Sequence, residues 1–304
     1  MAIEYRLARW SDLPEVETAF AAAIDDLDKR HGFFSGPTQT TPANPQYPFW
    51  LEKNPHSFWV AEYQGKVIGY SFSFLRGYLW FLADLFIDPK YQGRGIGGTL
   101  IRKTQGSWQG HRISNRALIT PAFNRASVSL YMRHGMYPRQ PIYFATAPRK
   151  KVLESRPTDG TRIEVEEVSV RDRSLNQLGQ IHKTAMGFPA GWHNEYFYRV
   201  QKAKCLLFKT KGRPVGYSFI RKNGRIGPLM VASPGLFRRA METTLNIAAK
   251  SADGDLTIFF PGTNEEAVRS SIDNGFSITY PLLFLSSIPM GNFDNYLFYS
   301  PGLM

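Results

Sequence analysis

Cysteine is nearly absent from this 304-residue chain: Cys205 stands alone. A single thiol excludes an internal disulfide and suggests a reducing compartment. Long apolar runs are missing as well. None approaches the ~20 residues that cross a bilayer, and no charged-then-apolar leader opens the chain. These features predict a cytoplasmic protein with no membrane partner. The six histidines are scattered and, with one cysteine, show no ligand spacing, so no metal is expected. Acidic residues vanish between Asp88 and Glu154, while the chain as a whole carries a net charge of +12. The basic residues are dispersed, without the clustered stripe of a nucleic-acid groove. A diffuse basic surface of this kind draws in a ligand carrying several phosphate charges.

Apolar residues make up 43% of the chain, enough for two ordinary domain cores. The densest local signal is Leu85-Phe86-Ile87-Asp88-Pro89-Lys90-Tyr91-Gln92-Gly93-Arg94-Gly95-Ile96-Gly97-Gly98-Thr99-Leu100. An apolar strand ends, glycines alternate with other residues, and a helix begins. Glycines let successive N–H groups turn inward, and the helix start adds unpaired N–H groups and a positive dipole end. The segment predicts a phosphate cradle. Gly93-x-Gly95-x-x-Gly98 matches the dinucleotide fingerprint, but that site needs an acidic residue at the end of the next strand, near Thr120, and none is there. A P-loop needs a lysine where Gly98 stands.

The same residues also read as Gln92-x-x-Gly95-x-Gly97. Further on, Asn124 caps a helix that stops at Gly135, with Tyr131 four residues before that glycine. Together these motifs resemble the GNAT family of N-acetyltransferases over about residues 1–148. The resemblance implies a coenzyme A site: Gln92, Gly93, Arg94, Gly95, Ile96, Gly97 and Gly98 around the pyrophosphate, and the backbone of Phe86 and Ile87 along the pantetheine. It also places Tyr131 and Asn124 against the cofactor. In the family, the strand before the loop splays away from its neighbour to free that backbone.

The chain repeats its plan. Gly65-Lys-Val-Ile-Gly69-Tyr70-Ser71-Phe72 recurs as Gly212-Arg-Pro-Val-Gly216-Tyr217-Ser218-Phe219, and Asn124 through Gly135 recurs as Asn264 through Gly275. The second copy has Ser233-Pro234-Gly235-Leu236-Phe237 in place of the glycine loop, Ser271 for Tyr131 and Pro228 for Asp84. Expected domains are 1–148 with the cofactor loop, a linker at 149–161, and a degenerate copy at 162–304. Each copy reads as a helix, a three-strand meander, a helix, a strand, a helix and closing strands. The fold class is α/β (α+β in some schemes): two GNAT-like domains, each a mixed, mostly antiparallel sheet flanked by helices.

The resemblance implies transfer of an acetyl group from acetyl-CoA to an amine of a small molecule or peptide by direct attack. The second functional reading is a non-catalytic acetyl-CoA sensor or scaffold. Tyr131 is the candidate general acid for the departing thiolate; the competing reading packs its ring and wets its hydroxyl. Asp84 is the carboxylate on the central strand and the candidate base, with Glu62 as the alternative and an ion pair to Arg76 as the bland reading. Asn124 is either a helix cap or a pantetheine contact as well. His111 and His134 read as helix-end residues. The insertion His31 to His56, with five prolines and several aromatics, predicts a loop over the site. With Tyr78, Trp80 and Phe81 it could line an acceptor pocket, or its aromatics could pack the two copies together. A duplicated chain makes a partner copy less necessary, so a monomer or loose dimer is expected.

Overall fold

The computed structural model describes residues 2–40, 43–155, 163–169 and 172–304. Pro42 of the insertion and residues 156–161 of the expected linker lie outside them. Compactness divides the chain into two units, Met1–Leu118 with Phe123–Tyr137 and Ser286–Ile288, and Ile119–Ala122 with Pro138–Leu285 and Pro289–Met304.

The first unit opens with strand β1 (Glu4–Leu7), then helices α1 (Leu13–His31) and α2 (Gln46–Lys53). A meander of β2 (Phe58–Tyr63), β3 (Lys66–Arg76) and β4 (Leu79–Ile87) follows, then α3 (Ile96–Gly106), β5 (Asn115–Pro121) and α4 (Arg125–Arg133). The strands lie in the order β1-β2-β3-β4-β5, antiparallel except for the parallel pair β4/β5. Gln64 and Gly65 close the β2–β3 hairpin with φ of 53° and 74°, the two positive values a two-residue turn needs to match strand twist. Gly69 is fixed by crowding: a Cβ there would lie 2.9 Å from the Phe86 carbonyl oxygen.

Alternation along the strands sorts two cores. Ala61, Ile68, Leu85 and Ile87 face α3, which contributes Ile96 and Leu100. Phe58, Tyr70, Phe72 and Phe86 share rings with the helices on the other face. Trp50 stacks on Phe72 at 4.3 Å, and Phe20 meets Phe86 edge-on at 4.8 Å. The insertion is therefore not a loop throughout. Its residues 46–53 are helix α2, and Tyr47 and Trp50 are among the most buried side chains of the protein. Pro48 is tolerated because the first helical turn has no intrahelical use for its N–H. Each such ring removes about 150–250 Å² from water, roughly 4–6 kcal/mol before entropy, which is why the aromatics sit in this core.

The second unit takes β6 (Tyr137–Ala147) from Pro138 onward, because β6 pairs antiparallel with β11 (Leu256–Pro261), Ala147 opposite Leu256. Helix α5 (Arg149–Glu154) occupies the start of the expected linker. Then come β7 (Glu164–Val168), α6 (Asp172–Met186), short α7 (His193–Glu195), β8 (Lys204–Thr210), β9 (Arg213–Ile220), β10 (Ile226–Val231) and α8 (Phe237–Ser251). After β11 follow α9 (Glu265–Asp273), β12 (Ser277–Ser286) and β13 (Tyr296–Leu297). Strand β6 lies between β12 and β11, and a five-stranded sheet runs β13-β10-β9-β8-β7. Phe237, Met241 and Leu245 of α8 pack on Leu229, Val231 and Ile258. The protein is a mixed α/β fold with mostly antiparallel sheets flanked by helices.

Candidate active site

Two departures from regular pairing shape β4. The register with β3 slips between Phe72 and Ser73, which leaves Ala83 as an extra residue, and pairing with β5 stops at Leu82 opposite Leu118. Among the described residues, Asp84 to Ile87 thus have a sheet partner on one side only. Their other backbone edge is open to a ligand.

Beyond Ile87 the chain turns through Pro89–Tyr91, where the Asp88 carboxylate accepts the Lys90 N–H at 2.9 Å. The Gln92 amide donates to the Ile87 carbonyl at 3.0 Å, tying the loop back to the strand. Gly93 and Gly95 adopt φ of 77° and 79°, and nothing lies within 4 Å of where their Cβ atoms would be. Gly95 is the N-cap of α3, so the N–H groups of Ile96, Gly97 and Gly98 start the helix without intrahelical acceptors. Ile96 is buried beneath the loop, and Gly97 lets Leu130 of α4 approach to 3.1 Å of its Cβ position. Arg94 lies over the Tyr91 ring, its guanidinium donating to the Lys90 carbonyl. Arg102 and His134 flank Gly98, each 3.6 Å from its Cβ position. Burial lowers the His134 pKa, and Arg102, Arg116 and Arg133 lower it further, so the rim of the cradle is strongly cationic. The arrangement is chemically suited to a polyphosphate.

Asn124 caps α4 with its side-chain oxygen on the Ser127 N–H at 3.1 Å. The helix ends where Met136 N–H returns to the Tyr131 carbonyl at 3.1 Å and Gly135 takes φ of 75°. Tyr131 is 6% exposed, on the helix whose Leu130 packs against Gly97.

Asp84 lies on the α1/α2 face, just past the point where β4 leaves β5, and is nine-tenths buried. Its carboxylate accepts the Tyr70 hydroxyl at 2.9 Å, and Tyr70 in turn meets the Tyr47 hydroxyl at 2.8 Å. Burial pushes the Asp84 pKa up to about 7, against the opposing pull of the two hydroxyls. The alternative reading, an ion pair with Arg76, is not what holds it. Glu62 accepts the Arg6 guanidinium at 2.8 Å beside Asp12, which occupies it in an ion-pair cluster. Tyr47 and Tyr70 were not legible as partners of Asp84. Tyr70 did carry a signal, since it recurs as Tyr217, whose hydroxyl is 3.0 Å from His182 Nδ1.

Two of the expected pocket walls are core instead. Trp80 is fully buried with its indole N–H on the Ser73 hydroxyl at 3.0 Å, and Phe81 stacks on Phe74 at 5.2 Å. Elsewhere in the insertion, Phe33 stacks on Phe123 at 4.5 Å, next to the Asn124 cap.

The second unit differs at the positions of the glycine loop and of Tyr131 and keeps the asparagine cap. Pro234–Leu236 forms one 3-10 turn where the glycine loop would be. Ser271 turns its hydroxyl back onto the Ala267 carbonyl at 2.6 Å, and Asn264 caps α9 through the Ala267 N–H at 2.9 Å. The gap between β10 and β11 is filled by the chain itself. Leu229 and Met230 pair with Leu297 and Tyr296, and Phe298 N–H bonds the Phe259 carbonyl at 3.0 Å on the other side.

An open strand edge runs into a glycine-rich helix start with cationic side chains at its rim, and a buried carboxylate lies on the same strand. Residues 21–136 match the Acetyltransferase (GNAT) family model. No curated protein matches the sequence. Among solved structures, a candidate acetyltransferase from Pyrococcus horikoshii is similar over 99% of this chain and 96% of its own, with 18% identity and a TM-score of 0.77. A GCN5-related N-acetyltransferase from Sphaerobacter thermophilus covers 96% and 98% at 14% identity and 0.65. A tandem GNAT protein from the clavulanic acid biosynthesis pathway covers 95% and 99% at 13% identity and 0.62. The whole chain therefore has a tandem GNAT fold.

Proposed function

We propose that the chain is an acetyl-CoA-dependent N-acetyltransferase acting on an amine of a small molecule or peptide, with one active site per chain. The observation that carries this reading is the coincidence on β4 of three features: the end of β5 pairing at Leu82, the carboxylate of Asp84, and the run into Gly93 and Gly95. Residues 1–148 carry the site, 149–161 connect, and 162–304 form the copy without one.

Acetyl-CoA supplies an activated acyl group as a thioester. Gln92 to Gly98 would hold its pyrophosphate through backbone N–H groups, and the open edge at Phe86 and Ile87 would bind the pantetheine amides. Asn124 sits at the start of α4, where it fixes the helix that carries Tyr131. Asp84 takes a proton from the acceptor's ammonium, which leaves a neutral amine able to attack. With a pKa near 7 it is matched to that task at neutral pH. Tyr131 would give its phenolic proton to the departing thiolate and would be restored by the proton that the attacking nitrogen sheds as it becomes an amide. The cationic rim at Arg102, with Arg116 and Arg133 close enough to act on His134, favours a multiply charged cosubstrate.

No helix among the described residues is long and apolar enough to cross a membrane. A cytoplasmic monomer or loose dimer is the assembly we propose, without nucleic acid as a partner. The test is transfer of radiolabelled acetyl groups across a panel of amines. Transfer lost in Tyr131→Phe supports the enzyme, whereas tight binding with no transfer to any amine would establish the sensor or scaffold.

A further inference from the structure

The insertion that precedes β2 reaches the candidate base. With Asp84 ionised, Tyr70 gives it its one hydroxyl proton, so the 2.8 Å contact between the two hydroxyls is then a bond donated by Tyr47. The result is a directed chain, Tyr47 to Tyr70 to Asp84, crossing from α2 through β3 to β4. All three side chains are buried, and the rings that frame them fix their orientation. Tyr47 meets Tyr70 edge-on at 5.8 Å and Trp50 at 5.7 Å, while Tyr70 meets Phe86 at 5.8 Å. On α1, Glu17 is also buried and accepts the Asn44 N–H at 2.6 Å; its charge acts on Tyr47, as that of Asp84 does.

We propose that Tyr47 and Tyr70 are positioning residues for Asp84, through which the inserted helix α2 aims the carboxylate and sets its readiness to accept a proton. A lone buried carboxylate stays protonated through neutral pH and cannot act as a base. A hydroxyl donated to it favours the charged form, and a second hydroxyl behind the first polarises that donor further. When the acceptor's ammonium hands its proton to Asp84, the ammonium becomes an amine and the carboxylate a carboxyl; the two tyrosines remain neutral throughout. The consequence for turnover rests on Asp84 being the base, but the chain of bonds can be tested without acetyl-CoA or an acceptor.

The experiment is a carboxyl carbon-13 NMR titration of protein labelled at aspartate, with the Asp84 signal assigned by its loss in Asp84→Asn. In the unaltered protein it titrates near pH 7. Tyr70→Phe raises the midpoint by about one pH unit, and Tyr47→Phe raises it by less. Substituting 3-fluorotyrosine at position 47, whose hydroxyl is the better donor, lowers the midpoint while the packing is kept, so the idea stays testable if either phenylalanine variant folds poorly. Midpoints unmoved by all three changes would overturn the proposal, whatever the transfer rate. Midpoints that move while acetyl transfer keeps its pH profile would uphold Tyr47 and Tyr70 and remove Asp84 from the proton step.

Discussion

Leu82 on β4 pairs with Leu118 on β5, and it is the last pair those strands make. One residue later the β3 register slips at Ala83, and the strand runs on with a bare edge. In the second unit the corresponding strand has no bare edge, because Leu297 lies opposite Leu229. The same local plan thus gives an open slot in one unit and a strand-filled gap in the other. Calorimetric titration with acetyl-CoA is expected to give one site per chain, and two equivalent sites would contradict it.

Gly95 carries the cradle. Its φ of 79° costs an L-residue about 1–2 kcal/mol. Gly95→Ala should lower stability by about that amount and weaken acetyl-CoA binding about tenfold or more by turning the N–H groups away. An unchanged dissociation constant would move the phosphate site elsewhere.

Tyr131→Phe keeps the buried ring and removes only the hydroxyl. If it is the general acid, turnover falls about 10²–10⁴-fold, with acetyl-CoA affinity nearly unaltered. Equal losses in binding and turnover would mark it as a packing residue.

Asp84 makes a pH-dependent contribution to stability whose sign follows from its raised pKa. The folded chain holds the proton up to about pH 7, while the unfolded chain gives it up near 3.9. Between those values the native state binds more protons, so this contribution declines as pH rises. Asp84→Asn removes the decline. Its stability relative to the unaltered protein should rise across that window by roughly 3–5 kcal/mol, as urea unfolding at pH 4, 5.5 and 7.5 would show. A pH-independent difference would mean that Asp84 ionises normally.

Trp50 distinguishes a packed helix from a movable cover. Stacked on Phe72 and fully buried, it should cost about 3–5 kcal/mol when replaced by alanine. A loss below about 1 kcal/mol, measured by denaturant unfolding, would fit an exposed flap instead.

The glycine run, the helix that stops at Gly135 and the paired Gly-Tyr-Ser-Phe segments were legible because each is governed by local backbone chemistry. Gly93, Gly95 and Gly135 need positive φ, and Asn124 needs only the N–H three residues on. Strands such as Phe58–Tyr63 and Leu79–Ile87 were legible from continuous apolar runs between turns. Helix α2 was not: prolines at 45 and 48 suggest a loop, yet the first helical turn accepts them, and burial of Tyr47 and Trp50 outweighs weak local preference. Trp80 and Phe81 had composition suited to a pocket, but strand alternation against neighbours invisible in sequence turned them into the core.

The sequence by itself determined that one loop alternates glycines ahead of a helix, that its copy does not repeat that run, and that a tyrosine stands four residues before a helix-ending glycine. Those are short-range facts, fixed by which residues tolerate which backbone angles. Tertiary structure alone decided that β4 leaves β5 at Leu82, that β13 lies beside β10, and that Asp84 is joined to Tyr70 and Tyr47 instead of an arginine. Each depends on segments tens of residues apart meeting in space, where burial sets both the pairing of a strand edge and the charge of a carboxylate.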